Sequence, residues 1–129
     1  DNELKQNAME TFQKAAGSVE AGDATAAFAT FGRTKEGLFV NGASIGDCIA
    51  IYINRDELAA EQLNEIVKED IHDKRDPGGM IPGGNPASDE FQKISIFSKK
   101  VAEKDVVILA SDGLGDNIYE GQFNSIIPL

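Results

Sequence analysis

Apolar residues recur at helical spacing over residues 2–17, where Leu4, Ala8, Met9, Phe12, Ala15 and Ala16 fall broadly on one side. Asn2 stands where a cap belongs and Gly17 where a helix ends, so the spacing predicts an amphipathic helix lying on something apolar. From Ala24 the period shortens. "ATAAFATFG", "GLFVNGASIG" and "CIAIYIN" are rich in β-branched and aromatic residues and are separated by glycine or polar turns, which predicts three consecutive antiparallel strands. "RDELAAEQLNEIVKEDI" returns to a helical pattern, with Asp56 as cap and Leu58, Leu63, Ile66 and Val67 on one side.

The segment from His72 to Ser88 holds three of the four prolines and four of the thirteen glycines. Such punctuation predicts a long irregular loop, and loops of that length often border a site. "FQKISIFSKKV" then alternates as a half-buried strand, "EKD" turns, and "VVILA" is apolar on both faces, as a central strand is. A last helix is expected near "IYEGQFNSII". Runs of strands with helices before, between and after them predict an α+β fold with sheets at its centre.

Composition fits one soluble globular domain: 129 residues, 41% hydrophobic and 26% charged. No apolar run approaches the roughly 20 residues needed to cross a bilayer, and the polar start "DNELKQ" is unlike a secretory leader. The opening without methionine and the abrupt close at "SIIPL" lead us to expect a piece of a longer chain. Cys48 is the only cysteine, so no internal disulfide forms; the compartment stays open, with a reducing, cytoplasmic one favoured. Twelve basic residues against twenty-two acidic ones give a formal net charge of -10, which argues against nucleic acid and against an anionic membrane surface as partners. Such a surface suits cations, although most of these carboxylates serve solubility.

Candidate chemistry gathers at strand ends. "VVILASDGLGDN" runs from an apolar strand straight into Asp112, Gly113 and Asp116. A carboxylate at the end of a buried strand is costly unless it is solvated, hydrogen-bonded or bound to a cation, and Gly113 permits a tight turn with room for a ligand. Asp116 reaches the same region if a turn of helix begins at Gly113, since positions four apart share a face. A second site lies in "SIGDCIAIYI", where Gly46 and Asp47 precede another apolar strand. Either aspartate alone is most often a cap or turn acid; two such strand ends in one small domain point to metal.

Three blocks taken together resemble the metal-dependent serine/threonine phosphatases of the PP2C type. "GDATAAFATF" is similar to that family's Gly-Ser-Thr-Ala strand, "ASIGDCIAIYI" to its Gly-Asp-Ser-Arg-Ala strand, and "DVVILASDGLGDN" to its strand ending in Ser-Asp-Gly-x-Trp-Asp. The first two blocks read as an adjacent hairpin, and "DPGGMIPGGNP" is similar to Gly-rich segments of some members. The resemblance implies an antiparallel β-sandwich flanked by helices in four layers, α-β-β-α, incomplete in this chain, and a binuclear Mg2+ or Mn2+ centre at one end. Hard, oxygen-preferring ions match an all-carboxylate ligand set. By matching positions, Asp112 is the expected core ligand, with Asp47 and Asp116 completing a weaker, additional site shared with Asp112. A metal-activated water would attack phosphoserine or phosphothreonine of a protein substrate.

Departures from the family pattern bound this expectation. The early Asp-Gly-His-Gly-Gly block, the phosphate-binding arginine before it and the late Asp-Asn pair have no counterpart, so residues 1–129 are read as a partial domain, completed by further segments or a second chain and inactive alone. Gly115 stands where the family has tryptophan, and Cys48 and Ile49 replace its serine and arginine. Cys48 reads as a small buried hydrophobe, His72 as a solvated loop residue, and Arg33, Arg55 and Arg75 as surface residues. Two alternatives are a degenerate pseudophosphatase acting as a binding module and a haloacid-dehalogenase-like phosphatase. "SDGLGDN" resembles the latter's magnesium motif, but no Asp-x-Asp nucleophile sequence occurs and the β-meander fits that fold poorly.

Overall fold

The computed structural model describes residues 2–66 and 78–115. Helix α1 covers Asn2–Gly17 and buries Ala8, Phe12 and Ala16, three of the positions its spacing singled out. The strands are β1 (Asp23–Ala24), β2 (Ala26–Thr34), β3 (Gly37–Ile45), β4 (Ile49–Asn54), β5 (Ala59–Gln62), β6 (Ile81–Pro82), β7 (Ser95–Val101) and β8 (Val106–Ala110). A short 3-10 helix, Asp89–Lys93, precedes β7, and a helical turn α2, Asp112–Gly115, follows β8. Every ladder is antiparallel: one sheet has the order β2-β3-β7, a second has β5-β4-β8, and β1 pairs with β6. The fold is thus a mixture of helix and mostly antiparallel sheet, as an α+β assignment requires.

Alternation along the strands builds the layers. On β3, Leu38 and Val40 face the second sheet while Ala43 and Ile45 face α1, a switch of side that follows from the period of two. Val40, Phe97 and Val101 of the first sheet pack with Ala50, Tyr52 and Val107 of the second, forming the core between them. Helix α1 covers the opposite face of the first sheet through Ala8, Phe12 and Ala16, joined by Ile81, Phe91 and Ile94. Phe12 meets Phe28 edge to face, with ring centroids 5.6 Å apart. On the far side of the second sheet, Ile49, Ile51 and Ile53 are buried with Ala60, Ile66, Ile108, Ala110 and Leu114.

Three sequence expectations are corrected. The meander of three strands stops after two, because β4 does not pair with β3 but crosses to the other sheet; the adjacent hairpin is therefore β2 with β3, not β2 with β4. The break falls at Gly46, whose φ of 96° lies in the left-handed region and turns the chain off the first sheet. Second, β8 is an edge strand among the described residues rather than a central one, and Val106 and Leu109 are 37% and 42% exposed.

Third, the helix expected from Arg55 begins instead as a hairpin. Asn54 Oδ1 accepts from the amides of Asp56 and Glu57, both at 2.9 Å, and Leu58 takes a positive φ of 54°. That side-chain-held turn reverses the chain, and Ala59–Gln62 then pairs with Ile51–Asn54. Helix-forming residues in "AAEQ" are overruled by the free edge of β4, an instance of tertiary pairing prevailing over propensity. The remainder of that expected helix past Ile66, residues 72–77 of the expected loop and the helix expected near 118–127 lie outside the described residues.

The described part of the Gly/Pro-rich segment has a structural task. Gly84 N donates to Ala16 O at 2.8 Å and Gly83 N to Gly22 O at 2.7 Å, so two amides close the end of α1 and the turn after it. A side chain at Gly84 would run into the Glu20 carbonyl. Backbone meets backbone there, which only glycine permits.

Candidate metal centre

Two turns meet at one end of the stacked sheets. In the second sheet Ile49 is the register partner of Ala110, which brings the start of β4 and the end of β8 together. Asp47 lies two residues before Ile49, and Asp112 two residues after Ala110. Antiparallel pairing therefore gathers onto one sheet end two aspartates that are far apart along the chain. Asp116 lies outside the described residues.

Each turn is held from within. Gly46 is wedged where an added Cβ would overlap the Thr25 side chain and stand 3.1 Å from the Gly79 carbonyl. Cys48 Sγ is 3.4 Å from Thr25 Oγ1, which places the residue after Asp47 against the start of β2. On the other side, Leu114 N donates to Ser111 O at 3.2 Å, and Leu114 packs into the cluster of Ile49 and Ile51, seating α2 at the end of the sheet. Asp112 opens that turn and is exposed; Asp47 is half-buried. Gly113 departs from its expected role. It sits inside the helical turn without a positive φ, and a Cβ there would meet only Ser111 Oγ, at 3.9 Å. Conformational freedom is not what the position uses, although no other described residue crowds the place a side chain would take.

A cleft of about 320 Å³ runs beside this end, lined by Thr25, Ala26 and Ala27 of one sheet and by Cys48, Leu109, Ala110 and Ser111 of the other. Its walls are small apolar and hydroxyl-bearing residues, and the two turns that carry Asp47 and Asp112 both border it through Cys48 and Ser111. Among the described residues no three side chains of His, Cys, Asp and Glu type gather closely enough to hold an ion by themselves. The donor set available at this end is a pair of carboxylates with neighbouring hydroxyls. Oxygen ligands of that kind fit Mg2+ or Mn2+ and do not fit a soft ion.

The residue that organises this end was not singled out by the sequence. Asn64 is 5% exposed, and its carboxamide makes three hydrogen bonds: Oδ1 accepts from Ala50 N at 2.9 Å, and Nδ2 donates to Ser44 Oγ and Cys48 O, both at 2.8 Å. Those partners lie on both sides of Asp47. Ala50 N can only donate and Cys48 O can only accept, so the orientation of the amide is fixed by chemistry. Asn64 had been placed in a helix by the apolar spacing around it, and a lone asparagine carries no other signal.

Opposite, at the far end of β4, a second polar clasp holds the sheets. Asp105 accepts from Tyr52 Oη at 2.6 Å, Ala102 N at 2.8 Å and Arg55 N at 3.0 Å. Burial pushes the Tyr52 hydroxyl up to about 12, helped by the hydrogen bond to Asp105 and the negative charge there. Burial alone would raise Asp105, but the donors from Tyr52, Ala102 and Arg55 outweigh it and hold the carboxyl below its ordinary value. Arg33 pairs with Glu103 at 2.7 Å on an exposed surface, and Arg55 reaches the clasp only through its backbone amide. His72 and Arg75 lie outside the described residues.

Comparison with models of known protein families, with curated proteins and with solved structures finds no match to this chain.

Proposed function

We propose that this chain forms part of a metal-dependent protein phosphatase domain of the PP2C type, in which Asp47 and Asp112 bind a Mg2+ or Mn2+ ion at one end of two stacked sheets. The observation that carries the proposal is the pairing of Ile49 with Ala110, which gathers both aspartates at the same sheet end. Three sequence blocks, each contributing residues to this end, support it: Thr25 and Ala26 from the first, Asp47 and Cys48 from the second, Ser111 and Asp112 from the third.

When bound, such ions supply Lewis-acid charge neutralisation and a water activated for in-line attack on phosphorus. The chain's own residues do the holding. Asp112, at the head of α2 and seated by Leu114, offers an exposed carboxylate; Asp47, on a turn locked at Gly46, offers a second from the neighbouring strand. Two carboxylates fill only part of the coordination a hard divalent ion demands, and the remaining oxygens come from water, from Asp116 or from a further segment or chain. The phosphoester substrate, a phosphorylated serine or threonine in a protein, would approach across the cleft beside Ser111.

A Mn2+ titration followed by amide NMR tests the proposal. Paramagnetic broadening should appear first at residues 46–49 and 110–113, and Asp112→Asn should remove it. Broadening scattered over the acidic surface, with no preference for that end, would refute a built site. Hydrolysis of a phosphoserine peptide by the protein in its longest form, dependent on Mn2+ and lost in Asp112→Asn, tests the enzymatic part. Metal binding without hydrolysis would identify a pseudophosphatase-like binder instead.

A further inference from the structure

We infer that Asn64 is the positioning residue of this centre: its carboxamide holds both flanks of the turn that carries Asp47, and so fixes where that carboxylate stands relative to Asp112. The inference rests on the reading of this sheet end as a divalent-cation site, but its structural half can be tested without metal.

The bonding pattern singles Asn64 out. Ser44 and Asn64 are the buried polar side chains among the described residues, and they bond to each other. Through Ser44 the amide grips the last residues of β3, and through Cys48 O and Ala50 N it grips the first residues of β4. Asp47 lies between these attachment points, on the connection that carries the chain from β3 in one sheet to β4 in the other. The Asn64 carboxamide ties the two ends of this connection together through hydrogen bonds to both. The carrier of that side chain is itself anchored: Leu63 N donates to Ala50 O at 2.8 Å, and Glu65 N donates to Ser95 Oγ at 2.9 Å.

The geometry also explains why asparagine stands here. The position must accept from an amide and donate to a carbonyl at once, while buried. Aspartate has the right shape but no proton for Cys48 O, and a carboxylate facing that carbonyl is repelled. Leucine fills the volume and leaves both backbone groups orphaned. The role is indirect, since Asn64 reaches no ion; groups that orient a ligand without touching the metal commonly change affinity by about 10-fold to 100-fold when lost.

Two readouts on the intact chain test this. In Asn64→Ala, amide hydrogen exchange at Asp47 and Ala50 should rise at least tenfold more than exchange at Val40 and Ile96, and the Kd for Mn2+ should rise by about tenfold or more. Ser98→Ala, which removes an exposed hydrogen bond to Asn41 on the first sheet, away from the Asn64 segment and the Asp47 turn, should leave both readouts as in the wild type. Should Asn64→Ala fail to fold, Ser44→Ala takes its place and is judged by the same two readouts. A folded variant with wild-type exchange at Asp47 and wild-type Mn2+ affinity overturns the inference, as does an equal effect from Ser98→Ala. Absence of Mn2+ binding in the wild type defeats the metal reading instead, and the exchange at Asp47 then decides the role of Asn64 alone.

Discussion

The Tyr52 hydroxyl donates to Asp105 Oδ2 at 2.6 Å, joining the middle of β4 to the turn that leads into β8. Around this bond lie Lys99, whose ammonium stands 5.3 Å from the centre of the Tyr52 ring, and Glu61, which accepts from the same Lys99 at 2.8 Å. One end of the stacked sheets is therefore closed by a polar network, while the other end presents the pair of aspartates.

The clasp predicts how stability depends on pH. Tyr52 titrates at about 12 in the folded chain against an ordinary value of 10.0. A raised value means that the stabilisation is complete below pH 10 and drains away as pH climbs through 12, by on the order of 2–3 kcal/mol in all. Asp105 has the opposite sign. Its lowered value makes its contribution complete above about pH 4 and lost as acid drives it through its folded value. Urea melts across pH should show both flanks. Tyr52→Phe should remove the alkaline one and cost about 1.5–3 kcal/mol at neutral pH, the worth of a hydrogen bond to a charged group.

Gly46→Ala should be among the most damaging single changes in the chain. The residue has a φ of 96°, and its missing side chain makes way for Thr25. Left-handed strain and overpacking each cost about 1–3 kcal/mol, so a loss of about 2–6 kcal/mol is expected in a denaturant melt. Thr25→Gly in the same background should recover the steric part and leave the strain. Recovery of the full loss would show that the conformation itself is cheap.

Gly113→Ala should do the reverse. In a helical turn, alanine is favoured over glycine by about 0.5–1 kcal/mol, and among the described residues the nearest atom to the new Cβ is Ser111 Oγ at 3.9 Å. A gain in thermal stability with undiminished Mn2+ binding is the expected outcome. Reduced binding in a stabilised protein would mean that the space beside Gly113 belongs to the ligand.

Much of this architecture was readable from the residues because its signals are periodic. Helix α1 buries Ala8, Phe12 and Ala16 as its spacing demanded, and β2, β3, β7 and β8 fall where alternation or apolar runs placed them. What failed was pairing. No local pattern says that β4 abandons β3 for β8, since that decision is made by Gly46 wedged against Thr25 and by Asn64 across the crossover, contacts between segments distant in sequence. The "AAEQ" hairpin was hidden for the same reason, its helical composition outweighed by a strand edge elsewhere. Of the candidate site, Asp47 and Asp112 stood out because acids at the ends of apolar strands are conspicuous. Asn64 did not, because its meaning lies wholly in its partners.

If Asp47 and Asp112 share an ion, their contributions must be coupled. A ligand that binds only the folded chain stabilises it in proportion to occupancy, by about 2.7 kcal/mol at a hundredfold excess over Kd. Mn2+ should therefore raise the melting temperature, and chelation should reverse it. Asp47→Asn and Asp112→Asn should each reduce that rise, and the double variant should lose less than the sum of the two, because either change alone already spoils a joint site. Strict additivity would place the two carboxylates in separate, independent environments. That result would remove the functional meaning of the Ile49–Ala110 register while leaving the fold intact, for the pairing itself is maintained by β4 and β8 and by the packing of Leu114 against Ile49, not by any ion.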